Sequence, residues 1–195
     1  MLDNAVNHFI HNVIPAAAEY SRAETALSQA YAVDAAPATW ETAARCAKRH
    51  AANLAIAIDG LPDRCVEELT ITKAKIRDAV AALCVWPGTE CVRSGCIERV
   101  RGVANAYKHE NLSDPSLPIT SASDVLVVGL GYGLESYGVG KYGGVEVIVR
   151  DKTGMQWKFL GDAPVAAAGW LRFLSRHGAI LPSGPYHVCG LQLHP

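Results

Sequence analysis

From Asp3 to about Tyr31 the apolar residues Val6, Phe9, Ile10, Val13, Ala17, Tyr20, Leu27 and Tyr31 recur at spacings of three and four, with alanine filling the gaps. That period predicts an amphipathic helix. Pro15 has no backbone donor, so a kink or a fresh first turn is expected there. Asp34-Ala35-Ala36-Pro37 then breaks the pattern. Thr39 offers a capping oxygen and Glu41 an acidic first turn for a second helix to about Ile58, closed by Asp59-Gly60-Leu61-Pro62. Asp63 can cap a third helix, in which Val66, Leu69, Ile76, Val80 and Leu83 follow a heptad repeat with Lys73 in its polar slot. Trp86-Pro87-Gly88 ends it and Thr89 caps a fourth, whose buried stripe is Val92, Cys96, Val100, Val103 and Tyr107. Helices joined by such short connections predict an antiparallel four-helix bundle.

After Asn111 the period changes. Ser113-Asp114-Pro115-Ser116-Leu117-Pro118 reads as a loop, and residues 124–130, 145–150 and 155–160 read as strands, the last two joined by a tight turn at Lys152-Thr153-Gly154. A small three-stranded antiparallel sheet follows. A closing helix from about Pro164 to His177 buries Val165, Trp170, Leu171, Phe173 and Leu174, with Gly178 at its end, and the tail YHVCGLQL offers a short edge strand. The expected fold is α+β, mainly α, as a single domain over 1–195. Its helical bundle covers 1–112, and sheet, closing helix and tail cover 113–195.

With 195 residues, half of them hydrophobic, the chain can bury a sizeable core. Its 18 basic and 19 acidic residues give a net charge of -1, so no global positive field draws it to nucleic acid or anionic membrane. No stretch has the length of apolar sequence that spans a bilayer, and MLDNAVNHFI lacks the positive start of a signal peptide. A cytoplasmic protein with no membrane partner is expected, its six cysteines reduced and packed as small apolar groups.

Several motifs carry less chemistry than they promise. Residues 138–145, GVGKYGGV, match the dinucleotide GxGxxG and the kinase GxGxxGxV patterns, but a strand follows where the dinucleotide fold needs a helix. The other kinase motifs are absent. The segment reads instead as a long glycine-rich loop, about 129–144, of the kind that serves as a lid or a partner-binding tip. Tyr132, Tyr137, Lys141 and Tyr142 are its binding candidates. His8 and His11 lie one turn apart without a third ligand, Cys91 and Cys96 are too widely spaced for a CxxC pair, and His187, Cys189 and His194 lack the spacing of a closed metal site. No metal and no cofactor is expected. The basic cluster Arg45, Lys48, Arg49 and His50 reads as a solvated face.

The strongest constellation is on the fourth helix. In 98–112, ERVRGVANAYKHENL, Arg101, Asn105 and His109 are each four apart and project from one side, with Lys108 beside them as a further binding candidate. A guanidinium and an imidazole on one face can bind a phosphate and move its leaving-group proton. Equally, Lys108 and His109 complement the dipole at a helix C-terminus.

The segment resembles the arginine and histidine motif of the HEPN superfamily, helical-bundle proteins that include RNA-cleaving toxins and noncatalytic relatives. That resemblance covers about residues 1–110 and implies a homodimer. It also implies RNA as a partner, with Arg101 and His109 as the catalytic pair and Asn105 as a polar neighbour. Seven residues separate Arg101 from His109, more than in the superfamily's motif. The reading taken forward is a noncatalytic binding or interaction module, homodimeric through an alanine-rich helix face. The alternative is a metal-independent endoribonuclease.

Overall fold

Pro15 is accommodated without a break. In this computed structural model, which describes residues 2–34, 36–86, 88–109, 112, 114–129 and 144–194, α1 (Asp3–His8) passes through a π-helical turn (Phe9–Val13) directly into α2 (Ile14–Val33). A proline ring collides with the carbonyl four residues back and cannot donate to it. The π turn, where Ile14 N reaches back to Phe9 O, relieves that misfit just before the proline.

α3 (Pro37–Asp59) has proline in its first turn, and Thr39 is not its cap. Asp34 organises the entry instead: Oδ1 accepts from Ala36 N at 2.9 Å and Oδ2 from Thr39 Oγ1 at 2.8 Å. Gly60 is right-handed rather than a left-handed cap, and α4 (Leu61–Leu69) begins at once. The backbone approaches closely there: a Cβ on Gly60 would lie 3.2 Å from His8 Nε2, which donates to Ala57 O at 2.8 Å, so the imidazole would have to give by a few tenths of an ångström.

The heptad seam proves to belong to two helices. Thr70 takes a φ of 51°, and Thr72 caps α5 (Lys73–Ala81) by accepting from Lys75 N at 3.4 Å. Thr70-Ile71-Thr72 accounts for the break: consecutive β-branched side chains lose rotamer freedom in a helix, and threonine hydroxyls favour caps. The next helix, α6 (Cys96–Lys108), starts later than Thr89. Before it, residues 84–86 and 88–95 form a strap that doubles back, with Arg93 N on Cys84 O at 2.8 Å and Val85 bridged to Val92. Val92 and Tyr107 therefore stand exposed, while Cys96, Val100 and Val103 enter the core.

β1 (Val125–Gly129), β2 (Val145–Arg150) and β3 (Gln156–Lys158) form the antiparallel sheet in that order, with Val149 opposite both Val125 and Trp157. β3 is short because α7 (Phe159–Arg176) starts at Phe159, ahead of the predicted Pro164, which lies inside the helix. Gly178, φ 73°, ends it as expected. The tail forms its own hairpin, β4 (Tyr186–Val188) and β5 (Leu191–Leu193). Its turn residues Cys189 and Gly190 both have positive φ, 50° and 81°, as a two-residue hairpin turn of matching twist demands.

The fold is thus α+β and mainly α. One cluster of buried side chains extends from Leu2 on α1's edge to Leu193 in β5, with α7 against α5, α6 and β2. Among the described residues no helix is long and apolar enough to cross a membrane. α7 meets the strap at Gly169, where a Cβ would fall 2.6 Å from Cys84 Sγ and 3.1 Å from Val80 O. Gly169→Ala is expected to cost about 1–3 kcal/mol through overpacking, seen as a lower urea midpoint at unchanged m-value. A midpoint equal to that of the parent would show the helix pair can spread freely.

Candidate functional site

Two of the three side chains of the α6 stripe are tied into the fold, and the third lies past the helix end. Arg101, about a quarter exposed, donates from Nη2 to Asp114 Oδ2 at 2.6 Å. Asp114 is held below the usual carboxylate range by hydrogen bonds from Ser116 Oγ and N, with Arg101 adding to them. Asn105 turns its amide back to Arg101 O at 2.9 Å. His109 is the C-cap: its backbone leaves the helix at φ -130°, ψ 136° while its N–H still reaches Asn105 O, and its side chain is exposed. The helical spacing that aligned His109 with Arg101 therefore ends one residue before it.

Lys108 is drawn elsewhere. Its Nζ lies 3.2 Å from Asp59 Oδ2, and Arg77 Nη2 lies 3.3 Å from Asp59 Oδ1, so the last residue of α3 ties α5 to α6. A shallow crevice opens here between Asp59, Arg77, Arg101 and the apolar Ile97, Val100 and Trp170. His109 is not part of its lining. The loop candidates Tyr132, Tyr137, Lys141 and Tyr142 fall outside the described residues.

Charge is concentrated in places the sequence reading passed over. Asp162 on α7 is fully buried and receives Arg93 Nε at 2.5 Å, Arg99 Nε at 2.7 Å and Arg99 Nη2 at 2.9 Å. The guanidiniums also lie over indoles, Arg93 4.9 Å from the Trp86 centroid and Arg99 3.9 Å from that of Trp157. Two arginines on one carboxylate join the strap, α6, the sheet and α7. Both oxygens of Asp162 are thereby engaged by guanidinium groups. Arg99 follows a hydrophobic-helix spacing in the chain, so nothing local marks it as an internal charge.

A second polar cluster lies between α2 and the sheet. Buried Glu24 accepts from Tyr20 OH at 2.7 Å and from Val147 N at 3.1 Å, and buried Glu146 faces Lys158 Nζ at 3.6 Å. Burial, then the Glu24 carboxylate, pushes the Tyr20 hydroxyl well above its usual range. Burial likewise pushes the Cys189 thiol up to about 12, with Glu24 adding to it, so Cys189 is a poor nucleophile at neutral pH.

On the far side of α2 is an open groove of about 530 Å³ between that helix and the β4–β5 hairpin. Ala18, Ser21, Arg22, Thr25, Ala26 and Gln29 form its helical wall, and His187, Cys189 and Gly190 the other. Its signal is in the chain as a second stripe, offset from the buried one, at the same spacings of three and four. The hairpin that completes it is invisible to helical periodicity. Of the basic cluster, Arg45 and Arg49 are exposed on α3 as expected, whereas Lys48 and His50 are half-buried, and among the described residues no three His, Cys, Asp or Glu side chains cluster as a metal site.

No family model, no curated protein and no solved structure matches this chain.

Proposed function

We propose that the chain is a noncatalytic interaction module whose partner is a second copy of itself, seated along the α2 groove. The observation that carries this reading is the groove wall itself. Ala18, Ser21 and Ala26 present short side chains on one helical face, so a second helix can approach closely there. A two-fold pairing is isologous and needs a self-complementary patch. Glu19 and Arg22, 2.5 Å apart and both more than half exposed, supply opposite charges one turn apart at the edge of that face. Two helices crossing antiparallel there would exchange these partners.

The surrounding chemistry favours binding over turnover. Arg101 is engaged by Asp114, Asn105 by its own helix, and His109 stands beyond the helix end. The test is sedimentation equilibrium at micromolar concentration on the parent and on Ala26→Arg, an exposed position where the fold tolerates a charge. A dimeric parent and a monomeric variant are expected; a parent that sediments as a monomer sinks the reading. In parallel, mixed RNA is expected to survive incubation with the parent and with His109→Ala alike. Cleavage by the parent that disappears in His109→Ala would instead establish the endoribonuclease with Arg101 and His109.

A further inference from the structure

Positive charge is in excess where α3, α5 and α6 meet. Asp59 serves both Arg77 and Lys108, at 3.3 and 3.2 Å, while Arg101 leans on Asp114, so three cations share two carboxylates. The arginines at Asp162 are held by three contacts of 2.5, 2.7 and 2.9 Å, whereas Arg77 has a single contact just outside the ordinary hydrogen-bond range. Arg77 and Arg101 each have one hydrogen-bond partner among the described residues, made through Nη2, and a guanidinium carries five N–H donors. Their side chains are 21% and 26% exposed, and both line the crevice beside Trp170. The interior of that crevice is about 10 Å³, room for one water-sized group, and Ile58, Ile97, Val100 and Trp170 give it apolar walls. A ring or alkyl chain is too large to enter. A small anion at the mouth meets both guanidiniums beside apolar walls, where charge attraction is stronger than in open water.

We propose that the mouth of this crevice is an oxyanion site, which holds a phosphate group between the guanidiniums of Arg77 and Arg101. Lys108 adds its charge from the other oxygen of Asp59. A guanidinium fork takes two oxygens of an anion at once. A tetrahedral dianion presents oxygen pairs to two forks together, while a carboxylate has only one pair to offer. The bound group would link α5 to α6 and offset the excess charge. No residue of this site lines the α2 groove, so phosphate binding and self-association stand or fall separately.

The full chain is titrated with inorganic phosphate, and separately with phenyl phosphate, at about pH 8 and constant ionic strength, where both are mostly dianions. Broadening of the phosphorus NMR signal reads the binding. Saturable binding is expected, weakened roughly 10- to 100-fold in Arg77→Gln and in Arg101→Gln, the loss of one hydrogen bond to a charged group. Arg176→Gln, which removes an exposed cation of α7, should bind as the parent does. Comparable binding of both probes assigns the site to a phosphomonoester, and binding of inorganic phosphate alone assigns it to the free ion. Modification of the parent by phenylglyoxal, mapped peptide by peptide, needs no variant to fold: phosphate should slow it at Arg77 and Arg101 but not at exposed Arg45 and Arg49. Binding that fails to saturate, equal weakening in Arg176→Gln, or modification of Arg77 and Arg101 at the same rate with and without phosphate overturns the proposal.

Discussion

Asp162→Ala is expected to destabilise the protein by about 3–5 kcal/mol, a large part of the stability of an ordinary domain. Asp162 is fully buried and is the shared partner of two arginines whose side chains are themselves only 7% and 5% exposed. Deleting the carboxylate leaves both cations in the interior with indole faces as compensation, and these recover only part of the loss. The pairing itself need not be strongly favourable, since bringing three charges out of water carries its own large cost. Asp162→Ala with Arg93→Met and Arg99→Met should accordingly recover much of the lost stability. Urea unfolding of the single and triple variants measures both effects. A single variant within about 0.5 kcal/mol of the parent, the spread of ordinary surface changes, would show that the arginines find water or other partners.

Trp170→Ala comes next, with an expected cost of about 3–5 kcal/mol. Trp170 is 1% exposed and stacks edge-on against Phe173 at 5.6 Å. It also floors the crevice made by Ile58, Pro62, Ile97 and Val100, so it is packed against α3, α4 and α6 at once. Its removal opens a cavity that four elements would have to move together to refill, which close packing resists. Thermal and urea transitions should fall together. A loss below about 1 kcal/mol would mean the cavity collapses easily, and the crevice beside Arg101 is then loose rather than supported.

These two expectations and the reading of the α6 stripe share a cause. Arg101 sits over the Trp170 crevice and is tied to Asp114, while Arg99, two residues earlier on the same helix, is tied to Asp162. α6 therefore uses its cations to attach neighbouring elements on two sides. The binding surface proposed here lies instead on α2, where Ser21, Arg22, Thr25 and Gln29 remain open beside the hairpin.

The sequence by itself determined the class of the fold and most of its pieces. Three-and-four spacing located α2, α3, α6 and α7, and strand alternation with the Lys152-Thr153-Gly154 turn located β2 and β3. Such periodicity reports which side of an element is apolar, and burial rewards it wherever the element packs. It is blind to a break that preserves the apolar register. Thr70 interrupts one helix within an unbroken heptad, and the strap holds residues 88–95 out of the helix expected to start at Thr89. Only the tertiary structure decided the fate of the charges. Arg99 and Asp162 are 63 positions apart, Arg101 and Asp114 lie across a loop, and Lys108 reaches Asp59 on another helix. A stripe such as Arg101, Asn105 and His109 can be written from helical geometry alone. Whether it stands free for a ligand or is spent on the fold depends on the partners that the chain's path brings to it.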